Sequence, residues 1–229
     1  MSAIATKRMA YLVSVIFLMG VQAYAEGYFF DRSDITLEYV RREAQDGKFS
    51  WRHTVNVIDA TDTGTHIKYT TESLFTKQNG KPLYRSTVTE TTFVDKRSGD
   101  VSFDVAGAMV SYIKARTGIN ANGMEVLSTL PAVMEPGDTL APVVANAKVG
   151  PLTYKLTVTG RKVLRRETVT VPAGTFDCIV IQEHKVESGP GHNRDVINVT
   201  WYSKGVGYVR HDTYIKGKLD TSEVLESIK

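Results

Sequence analysis

Two-residue alternation between apolar and polar side chains, broken by Gly, Pro, Asn and Asp, recurs along most of the chain. The stretch "THIKYTTESLF" (65–75) places one set of side chains on a common face: Ile67, Tyr69, Thr71, Ser73 and Phe75. This period, with threonines and aromatics, is typical of a half-buried strand. Asn79-Gly80 follows, and both residues tolerate a positive φ, so the pair predicts a hairpin. The pattern predicts antiparallel β structure over most of the chain.

Further segments show the same pattern in both halves of the chain. In the first half we predict a meander with turns at Asp46-Gly47, "DTG" and Asn79-Gly80, and with strands at 35–42, 49–59, 65–75 and 83–94. In the second half we predict a loop at "SGPGHN", a turn at "KGVG" and strands at 151–171, 176–187, 194–203 and 208–217. Gly160 is expected to form a bulge or turn in the first of these.

Three segments are less regular. Residues 105–118 fit a helix or a strand equally well; in a helix, Met109, Tyr112 and Ile113 would share a face. The prolines of 130–144 predict a crossover between the two sets of strands. Residues 218–228 fit a last strand or a short helix.

The turn spacing predicts roughly ten strands, in an all-β fold with at most one or two short helices. A flat sheet of that width would leave open edges, so the strands should curl into a closed or partly open antiparallel β-barrel. A β-sandwich is the alternative. Residues 26–229 are expected to form one domain.

Residues 1–25 have the features of a signal peptide. Lys7 and Arg8 precede the apolar run 9–21, and "AYA" at 23–25 supplies a cleavage site. The run is shorter than the roughly 20 residues that cross a bilayer, and no second run follows. We therefore expect an exported protein without an integral membrane span, most simply periplasmic, with secretion as the alternative.

The charge balance argues against a nucleic-acid partner. The chain has 28 basic and 25 acidic residues, and removal of Lys7 and Arg8 with the signal leaves a net charge of +1. Phosphate binding needs a larger basic excess. The one concentrated basic stretch, "RKVLRR" (161–166), lacks interleaved aromatics and is expected to be a solvated turn or strand end.

The stretch "TVTVPAGTFDCIV" (168–180) joins two strands and carries the single cysteine, Cys178. Pro172 and Gly174 suit a tight corner, and Thr175 or Asp177 could bond its free N–H groups. Asp177 and Cys178 should point to opposite faces of the strand. We therefore interpret Cys178 as a small buried apolar residue rather than a nucleophile.

Three stretches carry a resemblance to a known family: "LPAVMEPGDTL", "VTVPAGTFDCIVI" and "TWYSKGVGYVRHD". In this order they resemble a family of uncharacterised bacterial envelope proteins labelled TapB-like, which has a domain of unknown function. The resemblance covers roughly 128–215. It implies an antiparallel β-barrel with a loose similarity to the open barrels that carry lipids and lipoproteins across the periplasm. It implies no catalytic residues.

No catalytic or nucleotide-binding motif is present in the sequence, so we expect a non-enzymatic protein without a cofactor. His184 and His211 could approach each other from separate strands, with His192, Asp195 and Asp212 as further ligands. Their spacing fits no zinc signature, so no metal site is predicted. Scattered strand histidines, including His53 and His66, are expected at the surface.

The aromatic side chains offer two interpretations. Most should pack in the core, because aromatics dominate β cores. Alternatively, a barrel of eight or more strands can hold one small molecule in an aromatic-lined lumen. Under that hypothesis we expect five residues to contact an apolar or amphipathic, lipid-like ligand: Tyr69, Tyr84, Tyr154, Trp201 and Tyr208. The competing hypothesis is an envelope assembly or interaction protein that docks a partner chain by loops or strand edges.

Overall fold

A computed structural model describes residues 26–30 and 32–229, so the predicted signal peptide lies outside the described residues. The first strands are β1 (Thr36–Glu43), β2 (Phe49–Asp62), β3 (His66–Thr76), β4 (Val88–Asp95) and β5 (Val101–Asp104). Next come α1 (Val105–Thr117), β6 (Leu127–Leu130), β7 (Val143–Val149) and β8 (Leu152–Val171). The last strands are β9 (Gly174–Gly189), β10 (His192–Ser203), β11 (Gly207–Ile215) and β12 (Lys218–Ile228).

All the strands belong to one 12-stranded antiparallel sheet in the order β6-β5-β4-β3-β2-β1-β12-β11-β10-β9-β8-β7. Consecutive strands are neighbours except β6 and β7, which form the two edges, and β1 pairs with β12 at the centre. The sheet curls into a nearly closed barrel, which confirms the predicted all-β architecture. Two more strands are present than the roughly ten predicted, because the short β6 and the edge strand β7 lie in or near the proline-rich crossover.

The residues that fitted a helix or a strand form helix α1. The Asp104 carboxylate caps its start by accepting from the Gly107 N–H at 3.0 Å, and Gly118 ends it in a left-handed conformation (φ 79°). Ala106 and Ala115 are fully buried. Their small side chains let the helix lie close to the sheet. Capping and packing therefore determine the helical conformation of a segment whose sequence periodicity was ambiguous.

Three segments differ from their predicted structure. Residues 83–87 are not in a strand, because the Arg85 N–H donates to the Ala115 carbonyl at the end of α1 instead of to a neighbouring strand. The predicted loop at 188–193 is a tight turn, since Gly191 adopts φ 70° and the strands continue to either side of it. The basic stretch 161–166 lies inside β8 rather than at its end.

The seam of the barrel lies between the edge strands β6 and β7. Helix α1 contacts β4, β6 and β7 across this gap. Beyond the helix, Asn122 pairs with Lys148 of β7 through two backbone hydrogen bonds of 2.9 and 2.7 Å. Helix and connecting chain thus cover the gap that the ladder of strands leaves open.

Aromatic packing fills one end of the barrel. Phe29 and Phe30, from the segment before β1, contact the Tyr69 ring at centroid distances of 5.4 and 5.7 Å. The Gly205 N–H donates to the Gly27 carbonyl and ties this segment to the β10–β11 turn. The N-terminal residues therefore act as a plug for this end of the barrel.

The corner at Pro172-Ala173 is a two-residue turn between β8 and β9. Gly174 takes φ 144°, as a non-glycine residue rarely could. Contrary to expectation, Thr175 and Asp177 do not bond the turn: they pair across the hairpin with Thr170 and Thr168. The turn instead donates the Ala173 N–H to the Leu225 carbonyl of β12. The hairpin is thus fastened to the strand that pairs with β1.

Candidate binding site

A group of polar side chains lies on the inner face of the barrel, towards the end opposite the plug. Residues directly opposite each other in an antiparallel ladder share a face. Tyr39 of β1 pairs with His53 of β2, Arg41 of β1 pairs with Glu223 of β12, and Glu223 pairs with His211 of β11. The register therefore brings charged groups from four neighbouring strands together inside the sheet.

Three of these residues, together with Ser73 of β3 and Tyr208 of β11, form one hydrogen-bonded group, named here the interior cluster: Arg41, His53, Ser73, Tyr208 and Glu223. The Arg41 Nε donates to Glu223 Oε2 at 2.9 Å. His53 Nδ1 lies 3.2 Å from Glu223 Oε1 and 3.2 Å from the Tyr208 hydroxyl, and that hydroxyl donates to Glu223 Oε1 at 3.3 Å. On its other side, His53 Nε2 lies 3.0 Å from Ser73 Oγ. The Glu223 carboxylate thus links four strands, β1, β2, β11 and its own β12.

Aromatic rings hold the imidazole in place. The His53 ring stacks on Phe75 at 4.3 Å and on Tyr39 at 5.5 Å, and Tyr39 stacks in turn on Tyr208 at 4.3 Å. The Tyr39 hydroxyl donates to the Tyr208 carbonyl at 3.0 Å. These rings come from strands β1, β2, β3 and β11, so they fix the polar groups relative to the sheet.

Burial and charge shift the ionisation of the cluster. Burial raises the pKa of Glu223, but the His53 hydrogen bond and the charge of Arg41 are among the influences that outweigh it and bring the pKa to about 2. Burial, aided by the Arg41 charge, lowers the pKa of His211 to about 4. Burial and the Glu223 carboxylate raise the pKa of Tyr39 and Tyr208 well above the ordinary value. Glu223 is therefore ionised and His211 neutral near pH 7.

Four inner-face residues lie deep in the protein without being fully enclosed. Glu90, Tyr202, Tyr208 and His211 lie deep in the protein, where burial is the largest influence on the pKa of each. Each of the four residues is nevertheless partly exposed. The surrounding side chains therefore do not enclose these four groups completely.

The order Ser73–His53–Glu223 has the hydrogen-bond pattern of a hydrolase triad. The carboxylate can only accept, so His53 Nδ1 donates to it and Nε2 accepts from the serine hydroxyl. Ser73, however, is only 1% exposed, so a substrate carbonyl has no path to its Oγ. The arrangement is suited to holding a fixed charge pattern inside the barrel, and it gives no indication of catalysis.

The expectation that His53 lies at the surface was wrong, since it is 8% exposed at the centre of the cluster. The physical reason is register: His53 shares the parity of Trp51 and Val55, whose side chains face inwards with it. That shared parity in "WRHTV" was the available signal. The partners Arg41 and Glu223 are 182 residues apart, and no local pattern links them.

The structure places the five predicted ligand contacts in separate regions. Tyr208 belongs to the interior cluster, and Tyr84 packs on Phe75 at 5.2 Å, beside His53. Tyr69 is buried against the plug, and Tyr154 packs with the cluster of Ile113 and Ala147. Trp201 lies on the opposite face of β10 from the inward Thr200, where its Nε1 donates to Glu167 at 3.0 Å. Tyr208 and Tyr84 are thus the two of this set nearest the polar interior.

The histidines considered as metal ligands do not come together. His184 Nε2 contacts the exposed Asp195 at 2.7 Å and His192 Nε2 contacts Glu187 at 2.7 Å, whereas His211 faces inwards to Thr200. In the described part of the chain, no three His, Cys, Asp or Glu side chains are grouped as metal ligands would be. No helix in residues 26–30 and 32–229 has the length and apolar character needed to span a membrane.

Cys178 is buried, as predicted, and faces away from Asp177. Burial, followed by the Asp177 and Glu167 charges, raises the pKa of its thiol to about 12, so little reactive thiolate exists near pH 7. It borders an open surface cleft of about 700 Å³, together with Arg166, Asp177 and Lys204. A second cleft, of about 520 Å³, runs past Trp201 and Arg210. Both are shallow and lie outside the interior cluster.

The family model described as DUF3108-like matches residues 38–225, which includes every strand pair of the interior cluster. The chain belongs to the DUF3108-like family. This confirms the predicted membership in a family of unknown function and extends it beyond 128–215 into the first half of the chain. Among curated proteins, none matches the chain significantly.

Two solved structures are similar to this member of the DUF3108-like family. One is a candidate exported protein with a YmcC-like fold from Bacteroides fragilis, 20% identical, with a TM-score of 0.71 over 89% of this chain and 99% of that chain. The other is a candidate lipoprotein from Parabacteroides distasonis, 17% identical, with a TM-score of 0.73 over 90% of this chain and 99% of that one. At these identities, the similarity shows a common fold.

Proposed function

We propose that this protein is an exported, non-enzymatic binding protein of the cell envelope, which holds an amphipathic, lipid-like ligand inside the barrel. The observation that carries the proposal is the partial exposure of deep inner-face groups, among them Glu90, Tyr208 and His211. A ligand with a polar end and an apolar body fits such a mixed interior better than a purely apolar one, because the buried polar groups need partners.

Export is supported by the signal pattern at 1–25 and by the descriptions of the two structural neighbours. On this proposal the mature protein is a single domain of residues 26–229 in the periplasm, and the label TapB-like stays a prediction. Tyr208 and Tyr84 are the proposed ligand contacts. Tyr69, Tyr154 and Trp201 stay predictions, with no part in this proposal.

Native mass spectrometry of the protein purified from an envelope fraction tests the function. We expect a fraction of the molecules to carry extra mass that matches a lipid, and this mass to be lost on treatment with organic solvent. The variant Tyr208→Ala should reduce the lipid-bound fraction. Tyr214→Ala removes a partly buried ring from the opposite face of the sheet and should leave that fraction unchanged. A clean apo mass under conditions that retain lipids on a known carrier would overturn the proposal.

A second candidate function, docking of a partner chain, is favoured by the distribution of exposed apolar side chains. Several belong to the segments that border the seam between β6 and β7: Ile119, Met124, Leu127, Val133 and Val144. Met124 and Val133 are 87% and 78% exposed, and β6 is an edge strand. Edges with exposed apolar residues are where strands add to a sheet. Photo-crosslinking from position 124, compared with position 216 on the β11–β12 turn, tests this candidate.

A further inference from the structure

The connections at the end of the barrel opposite the plug form a distinct surface. In an antiparallel sheet, successive connections between strands alternate between the two ends. The plug is tied to the β10–β11 turn, so the β9–β10 and β11–β12 turns lie at the opposite end, and the alternation continues around the sheet. This opposite end is named here the rim, and it consists of five connections: 44–48, 77–87, 150–151, 190–191 and 216–217.

The rim has an excess of positive charge. Its connections contain one acidic residue, Asp46, and five basic ones: Lys48, Lys77, Lys81, Arg85 and Lys216. All five basic residues are exposed, and within the described part of the chain none of them forms an ion pair. The direct connections between strands at the plug end are balanced, with three basic and three acidic residues. The two ends of the barrel therefore differ in charge.

Exposed apolar side chains accompany these cations. Leu152 follows the β7–β8 turn directly and is 43% exposed. Ile215 and Leu219 lie on either side of the β11–β12 turn, which carries Lys216, and each is 37% exposed. Apolar groups of this size at the surface of a protein are where another apolar phase makes contact.

Two tyrosines add to this surface at connection 77–87. The Tyr84 hydroxyl donates to the Tyr112 hydroxyl of α1 at 3.4 Å, and the two ring centroids are 5.4 Å apart. The Arg85 N–H donates to the Ala115 carbonyl, which holds the connection against the end of α1. Tyr112 is 37% exposed. Tyrosine has an apolar ring and a polar tip, and it is enriched where membrane meets water.

We propose that the rim binds a membrane surface that contains anionic phospholipids. The basic side chains contact the phosphate groups, and the exposed apolar and tyrosine side chains enter the boundary between headgroups and acyl chains. The charge favours this occupant, because a neutral apolar partner would desolvate unpaired cations, whereas an anionic lipid surface neutralises them. The inference goes beyond the proposed function, since binding at the rim needs no ligand inside the barrel.

Vesicle sedimentation of the protein purified from an envelope fraction tests the inference. The probes are vesicles of phosphatidylcholine alone and vesicles in which phosphatidylglycerol replaces about 30% of it. We expect binding to the anionic vesicles, weakened by high salt, and little binding to the neutral ones. Equal binding to both kinds of vesicle would overturn the inference. So would binding to neither, which is the result expected if the rim contacts a protein partner instead.

Two matched double variants locate the surface that binds. Lys81→Gln with Lys216→Gln removes two charges from the rim and should weaken binding to the anionic vesicles by about tenfold or more. Arg97→Gln with Lys204→Gln removes two charges from the plug end and should leave binding nearly unchanged. All four side chains are exposed, so both proteins should fold and melt as the unaltered protein does. An equal loss of binding in the two variants would overturn the inference.

An apolar substitution and hydrogen exchange complete the test. Ile215→Ser should weaken vesicle binding severalfold, and Ile58→Ser, at a position of β2 that is 55% exposed, should not. In hydrogen exchange, anionic vesicles should protect amides of 77–87 and 216–217 but not those of 204–206. Protection at the plug end alone would overturn the inference, because the membrane would then meet the opposite end of the barrel.

Discussion

Arg41 and Glu223 form an ion pair with almost no exposed surface, with side chains 9% and 6% exposed, whereas Arg166 and Glu135 form a similar pair at 55% and 65%. Both pairs have charge-assisted contacts shorter than 3 Å. Their surroundings differ, because water solvates the outer pair when it breaks and cannot reach the inner one as easily. The contribution of an ion pair to stability therefore depends on whether the pair is buried inside the barrel or exposed, and not on the charges alone.

Glu223→Gln is expected to reduce the free energy of unfolding by about 3–5 kcal/mol, since it leaves the buried Arg41 guanidinium uncompensated. Glu135→Gln removes the exposed pair and should cost no more than about 1 kcal/mol. Urea unfolding of the two variants measures both values. Equal costs would show that the interior is far more hydrated than the burial of Arg41 and Glu223 indicates.

His211 makes stability sensitive to mild acid. Its pKa is lowered in the folded protein to about 4, from an ordinary value of 6.5, so the folded state resists its protonation. Neutral His211 contributes to the free energy of unfolding above about pH 6.5. This contribution, at most about 3 kcal/mol, is lost as the pH falls towards 4. Glu223, with its pKa near 2, loses its own contribution only at lower pH.

Thermal unfolding between pH 7 and pH 4 tests this sensitivity. His211→Asn keeps a polar partner for Thr200 and removes the titrating group, so its melting temperature should fall less steeply with pH. His184→Asn, at the exposed contact with Asp195, should follow the unaltered protein. A slope that His211→Asn leaves unchanged would assign the acid response to other groups.

Among the elements, α1 depends most on its capping interactions. The Asp104 Oδ1 accepts from the Gly107 N–H at 3.0 Å and from the Val126 N–H at 3.3 Å, so one carboxylate begins the helix and ties down the chain that leaves it. The helix covers part of the seam, so its cap also supports the closure of the barrel. Loss of this oxygen affects two segments together.

Asp104→Ala is expected to lower the free energy of unfolding by about 1–2 kcal/mol, the usual cost of a lost N-cap, with faster amide exchange in 105–126. Asp104→Asn keeps an accepting oxygen and should cost much less. Hydrogen exchange followed by mass spectrometry reports both the size and the place of the effect. An increase spread evenly over the sheet would contradict a local role.

Those strands and turns could be predicted from the sequence whose patterns depend only on residues close to one another in the chain. The alternation in 65–75, the Gly160 bulge and the Pro172 corner depend on neighbouring residues, and the structure has each of them. Helix α1 could not be predicted in this way, because its conformation depends on the packing of Ala106 and Ala115 against the sheet. The interior cluster joins His53, Ser73 and Glu223 through the order of the strands, which no spacing along the chain records. Glu90 differs from the other 24 acidic residues only by its place in the barrel.

At the scale of the whole molecule, the curled sheet encloses an interior with two different regions. The plug of Phe29 and Phe30 packs against Tyr69 at one end, and the charged groups of β1 and β12 lie in another part of the interior. The seam between β6 and β7 is covered by a helix and a connecting chain instead of by a continuous ladder. A molecule that enters or leaves the barrel would meet its weakest boundary there, since fewer backbone hydrogen bonds cross it.

The pairing of β1 with β12 has a consequence for the order of events during biogenesis. β1 needs a neighbour that is synthesised last, and the Arg41–Glu223 contact spans 182 residues of chain. Such non-local pairing makes folding slow. A polypeptide threaded through a translocation pore with its N-terminus leading could not complete this sheet until its final strand had emerged. The topology itself would thus delay premature folding during transit.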